Sequence, residues 1–242
     1  VPRPKHQMKL LEYAQIHDIR VIETASTQEV TCGLPITADD TPHWKFTGLV
    51  ETGITYQSRH AAQLHDVVVC SPQSHLLTSD GVLICDVSSR LGYQEHAANP
   101  ARFGWTSDVP IRRLEGVTTL ATAIDSPTGY FHWLLDALPR WILSMALISD
   151  STMSLNALRP ASVPSAAIES LNMPLSNQIR SVGIGPHQAI RCDTLIAATA
   201  SHSGVPHPQE LMAIRDAYLP ASSDATGHGK CGLYIRRRES RR

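Results

Sequence analysis

Residues 116–140 read Gly116-Val117-Thr118-Thr119-Leu120-Ala121-Thr122-Ala123-Ile124, then Asp125-Ser126-Pro127-Thr128-Gly129, then Tyr130-Phe131-His132-Trp133-Leu134-Leu135-Asp136-Ala137-Leu138-Pro139-Arg140. The first nine are β-prone and the next five are turn-formers. The last eleven begin a helical pattern, so strand, loop and helix follow one another as at the start of an α/β layer. Phe131, Leu135, Leu138, Ile142 and Met145 recur at the spacing of a buried helical stripe. His132, Asp136 and Arg140 stand four apart, which stacks them on one helix face. A helix that needed only packing would more often carry Lys or Glu beside its stripe. Here the polar edge holds groups that can hold, give or take a proton. Pro139 lies inside the pattern and lacks an N–H, so it is expected to kink the helix or end its first section.

Upstream of this unit the chain predicts a short amphipathic helix over 8–17 and a short strand over 20–23. A Thr/Pro/Gly-rich irregular region follows over 32–53. A Val-rich strand at 66–70 precedes two more at 75–78 and 82–86. The last two are joined through Ser79-Asp80-Gly81. Asp-Gly between apolar runs favours a hairpin, because both residues tolerate positive φ. Residues 91–110 have no periodicity and read as a loop. Downstream, short helices are expected at 165–172 and 208–219, and strands at 181–184, 194–199 and 232–237. The fold class is therefore α/β: a small antiparallel β region over 1–115, then a Rossmann-like layer over 116–242.

Composition narrows the function classes. With 42% hydrophobic and 18% charged residues, the 242-residue chain suits a water-soluble globular protein with a substantial core. A formal net charge of -1 gives no whole-chain attraction to nucleic acid. No apolar run reaches the roughly 20 residues of a membrane span, which leaves only peripheral membrane contact open. Five dispersed cysteines without a Cys-x-x-Cys pair point to reduced thiols in a cytoplasm, and the lack of an Asn-x-Ser/Thr sequon favours a bacterial one. Ser126 has no Gly-x-Ser-x-Gly elbow around it, and Gly183-Ile184-Gly185-Pro186 lacks the third glycine of a dinucleotide fingerprint. His202, His207 and His228 lie in Gly/Pro/Ser-rich stretches and read as surface residues. His132 and Asp136 could serve as two zinc ligands, but no third ligand is in sight, so no metal is expected.

The stretch Tyr130–Arg140 also resembles the signature helix of glycosyltransferase family 61, which includes bacterial capsular-polysaccharide transferases and plant xylosyltransferases. Gly129 stands where that family usually has Asn. The hairpin at Asp80-Gly81 and the ending Leu233-Tyr234-Ile235-Arg236-Arg237 resemble further family segments. Arg236 takes a position usually held by Ser, and Arg237 the position of an Arg. The resemblance runs over roughly 61–242.

It implies the N-terminal, acceptor-side lobe of a two-lobed GT-B enzyme. The donor lobe is expected to be missing, or replaced by a separate partner or by self-association. The implied reaction is inverting transfer of a sugar from a nucleotide-sugar donor to a glycan hydroxyl, without metal or other cofactor, in polysaccharide biosynthesis. Asp136 and His132 would be catalytic, with the general base open between them. Tyr130, Arg140 and Arg237 would contact substrate. Two other readings stand beside this one: a His132–Asp136 pair that serves structure alone, and a lone lobe that binds or assembles glycans without catalysis.

Overall fold

A computed structural model describes residues 4–31, 53–70, 75–87, 109–121, 132–148, 155–163, 179–200 and 206–218. Tyr130 and Arg237 lie outside these residues. So do the strand expected at 232–237, the helix expected at 165–172, and nearly all of the stretches read as irregular or loop.

The described chain is α/β. Its main sheet has nine strands in the order β1-β7-β6-β5-β11-β8-β9-β10, with β2 also pairing β5. The strands are β1 His6–Met8, β2 Val21–Ala25, β5 Arg59–Cys70, β6 His75–Leu77, β7 Val82–Ile84, β8 Ile111–Leu120, β9 Leu155–Pro160, β10 Ile179–Ile184 and β11 Ala189–Ala198. A separate pair joins β3 Gln28–Val30 to β4 Ile54–Tyr56. The helices are α1 Leu10–Ile16, α2 Leu138–Ser144 and α3 Pro208–Tyr218.

The expected hairpin forms. β6 and β7 pair antiparallel, Gly81 takes φ 90°, and its N–H donates to Thr78 O. β5 starts seven residues earlier than the Val-rich run indicated. Asp66, at φ 52°, interrupts its alternation and hides the strand's length. β11 likewise begins at Ala189, and β9 had no counterpart in the sequence reading. β5 pairs antiparallel with β11 along nearly its whole length, so strands from both expected segments share one sheet.

β8, β9, β10 and β11 run parallel in the order β10-β9-β8-β11. The first of them in sequence lies between the second and the last. The chain therefore leaves β8 toward one side and returns as β11 on the other. One feature departs from a Rossmann layer. β10 enters β11 through residues 185–188 alone, with no crossover helix.

In register, β10 ends level with Pro160, beyond the end of β8, while β11 starts level with Ile111. A flat sheet would hold these ends roughly 30 Å apart at about 3.3 Å per residue. The link reaches at most about 18 Å, so the sheet must fold back on itself. Gly116 at φ 81° and the irregularity between Cys192 and Thr194 supply the bend. Val182 and Ile184 accordingly share a core with Leu114, Ile190 and Cys192.

Alternation along the strands sends side chains to two faces. Leu120, Leu158, Leu195 and Ala197 face the core that α1 covers with Leu10, Tyr13 and Ala14. Ala121 and Ala157 face the helical segment instead, meeting Trp133, Ala137, Leu138 and Trp141, while Ile196 and Ala198 meet Leu147. The indole N–H of Trp141 donates to Thr119 Oγ1 at 2.8 Å and pins α2 to β8.

Candidate functional site

The helical segment after β8 is not a uniform α-helix. Trp133–Ala137 form a π-helical turn, and the Leu138 N–H donates to Trp133 O, five residues back. Pro139 explains it. With no N–H to give and a ring that crowds the carbonyl four residues earlier, it disrupts the ordinary ladder, and the preceding turn widens. The π turn ends at Ala137, and Pro139 sits in the first turn of α2, where its missing N–H costs nothing.

The wider turn rotates the segment, and this corrects the expected stripe. Residues 136–141 are deeply buried along with Trp133 and Ser144; of the expected stripe only Leu138 is among them, Leu135, Ile142 and Met145 are half-buried, and Phe131 lies outside the described residues. A strict 3.6-residue period cannot anticipate the extra residue.

His132 and Asp136 nevertheless meet. The ring Nδ1 lies 2.7 Å from Asp136 Oδ2. An ionised carboxylate only accepts, so Nδ1 carries the proton in this bond. The side chains differ sharply in access: His132 is 30% exposed and Asp136 2%. Only the imidazole can readily meet a molecule from solvent. The carboxylate behind it can fix the ring's orientation and tautomer, and it can stabilise the imidazolium.

Arg140, expected to contact substrate, points into the protein. It is 2% exposed, and its Nη2 donates to Val87 O at 2.9 Å and to Ala198 O at 2.7 Å. It thereby joins α2 to the carboxyl end of β11 and to the turn after β7. Burial pushes its pKa down to about 10. Glu210, Asp136 and Asp86 hold it up, and Arg59 adds to the lowering. At neutral pH it remains a cation.

Arg140 is the centre of a buried charge cluster that the sequence did not disclose. Arg59, half-buried at the start of β5, is lowered by burial and supported by Glu210 and Asp86. Asp86 is raised by burial, partly offset by the Leu10 N–H, which donates to its Oδ1 at 2.8 Å and so caps α1 from 76 residues away. Glu210 is 1% exposed, and its Oε2 accepts the His207 N–H at 2.8 Å. Two guanidinium groups thus stand against three carboxylates.

His207 requires a correction. Expected at the surface, it is fully buried at the N-terminus of α3. Its Nδ1 accepts the Gln209 N–H at 3.2 Å, so its Nε2–H donates to Ser26 O at 2.9 Å. The signal was present in His207-Pro208-Gln209-Glu210. It has a proline at the first helical position and an acceptor three residues beyond the cap, the pattern of a capped N-terminus. Arg59 and Asp86 carry no comparable local signal.

Among the described residues, no group of three His, Cys, Asp or Glu could hold a metal ion. No described helix is long and apolar enough to cross a membrane. No protein-family model, curated protein or solved structure matches the chain.

Proposed function

We propose that this chain is the acceptor-side lobe of an inverting glycosyltransferase that uses a nucleotide-sugar donor. One observation carries the reading. A half-buried imidazole at the carboxyl end of the parallel strands is held through Nδ1 by a buried carboxylate. That is the arrangement a general base needs to take a proton from an acceptor hydroxyl. His132 is the base and Nε2 the reacting atom, while Asp136 orients the ring and balances its charge. Arg140 supports Asp136 from within the protein. The resemblance of Tyr130–Arg140 to the family 61 helix supplies the reaction class.

The experiment is a product assay on the full-length protein. Uridine-, guanosine- and cytidine-linked sugars are offered with a panel of oligosaccharide acceptors, and products are read by mass spectrometry and NMR. The expected result is a glycoside of inverted anomeric configuration, formed with stoichiometric nucleotide release. No product and no nucleotide release with any donor would overturn the proposal.

A further inference from the structure

We infer that Arg159 binds an anionic oxygen group of the substrate, a phosphate or a carboxylate, on the sheet face that carries His132. The identity of that substrate rests on the glycosyl-transfer reading; the binding of an anion does not. Arg159 is the last residue but one of β9 and so lies near its carboxyl end. Alternate residues of a strand share a face. Arg159 therefore projects on the face of Ala157, which the helical segment covers with Trp133, Ala137 and Trp141. In register it stands one step beyond the Leu120–Leu158 pair, level with Ala121. Ala121 packs in the same cluster as Trp133, the residue after His132. His132 and Arg159 thus flank the same end of β8, one from the helical segment and one from the neighbouring strand.

The guanidinium is held in place without a counter-charge. Its Nε donates to Ser181 Oγ at 2.6 Å, and Nη1 donates to Pro160 O at 2.9 Å and to Ala161 O at 3.4 Å. All three acceptors are neutral. Arg113, Arg191 and Arg215 differ, since each pairs with an aspartate. Burial lowers the Arg159 pKa, and no carboxylate offsets it. Its Nη2 makes no bond to a described residue, so both N–H groups there remain for a ligand.

Gly183 makes this arrangement possible. It stands opposite Arg159 in β10, and a Cβ there would lie 3.6 Å from Nη1 and 3.3 Å from the Ala161 Cα. A cation fixed in orientation, unneutralised and with one nitrogen free is preorganised for an oxyanion, and the bond it forms is charge-assisted. Arg140 lacks that freedom, being 2% exposed with Nη2 spent on two backbone carbonyls. Arg159 fills the substrate-contact role that the sequence suggested for Arg140.

The test is an NMR titration of the full-length protein with two probes, inorganic pyrophosphate and glucuronate. The Arg159 Nε–H signal, assigned by its loss in Arg159→Lys, and the Ala161 and Gly183 amides report binding. A saturable shift with pyrophosphate identifies the donor's diphosphate as the source of the anion; one with glucuronate identifies an acidic acceptor. Arg159→Gln is expected to weaken that binding at least about tenfold, the loss of one charge-assisted hydrogen bond. If Arg159→Gln does not fold, Arg159→Lys carries the test. It keeps the charge but cannot hold Ser181 and Pro160 together while presenting a free N–H, and a smaller loss is expected. No saturable shift with either probe at millimolar concentration, or unchanged affinity in a folded variant, would overturn the inference. Anion binding without transfer would instead refute the proposed function and leave the role of Arg159 standing.

Discussion

Replacing Arg140 with Met tests the buried cluster most severely. Methionine nearly fills the volume of the arginine stem but donates no hydrogen bond. Two backbone acceptors, Val87 O and Ala198 O, lose a charged donor at 2.9 and 2.7 Å. Hydrogen bonds to charged groups are worth about 1.5–3 kcal/mol each, which gives roughly 3–6 kcal/mol. Burying an apolar side chain in place of a desolvated cation returns part of this. Against that return, the balance of two cations to three carboxylates becomes one to three.

A net loss of about 4 kcal/mol is expected, a large share of the roughly 5–15 kcal/mol that holds a domain folded. Urea denaturation followed by tryptophan fluorescence measures it, because Trp133 and Trp141 are fully buried beside the mutated residue. The deficit should shrink in acid, where protonation removes the unbalanced carboxylate charge. A loss below about 1 kcal/mol at neutral pH would refute the reasoning, since two buried acceptors without donors should cost more than that.

Asp86→Asn should leave the protein at least as stable as the wild type at neutral pH. Burial raises the Asp86 pKa, so its ionised form costs stability above that pKa, and the cost disappears as pH falls through it. Asn keeps an acceptor for the Leu10 N–H, and the two proteins should converge in acid when their denaturation midpoints are compared. Cys70 and Cys192, with thiols pushed up to about 12 by burial, should resist a thiol-reactive disulfide reagent at pH 8 until the protein unfolds. Half-buried Cys85 should react before either, as mass spectrometry of the labelled peptides would show.

What could be read from the sequence was local. Asp80-Gly81 announced a hairpin because glycine at φ 90° is a one-residue requirement. His132 and Asp136 announced a contact because four residues close one helical turn. That contact survives even the π turn that spoils the apolar stripe around it. The features that escaped depend on distant partners. β5 and β11 are long because they pair with each other across more than a hundred residues, and the Asp66 irregularity breaks the pattern that would reveal it. Arg140 read as a substrate contact through the family resemblance, which carries no information on where its guanidinium points. Its acceptors lie more than fifty residues away in sequence, at Val87 and Ala198. Glu210 and His207 were legible as a helix cap, but their burial against α2 was not.

The central claim is that the His132 imidazole takes the proton from the acceptor. The most direct measurement is the initial transfer rate of His132→Gln against the wild type, with saturating donor and acceptor and with folding checked by circular dichroism. A fall of at least about 100-fold is expected, the lower range for loss of a general base. A folded His132→Gln protein that transfers at the wild-type rate would contradict the account.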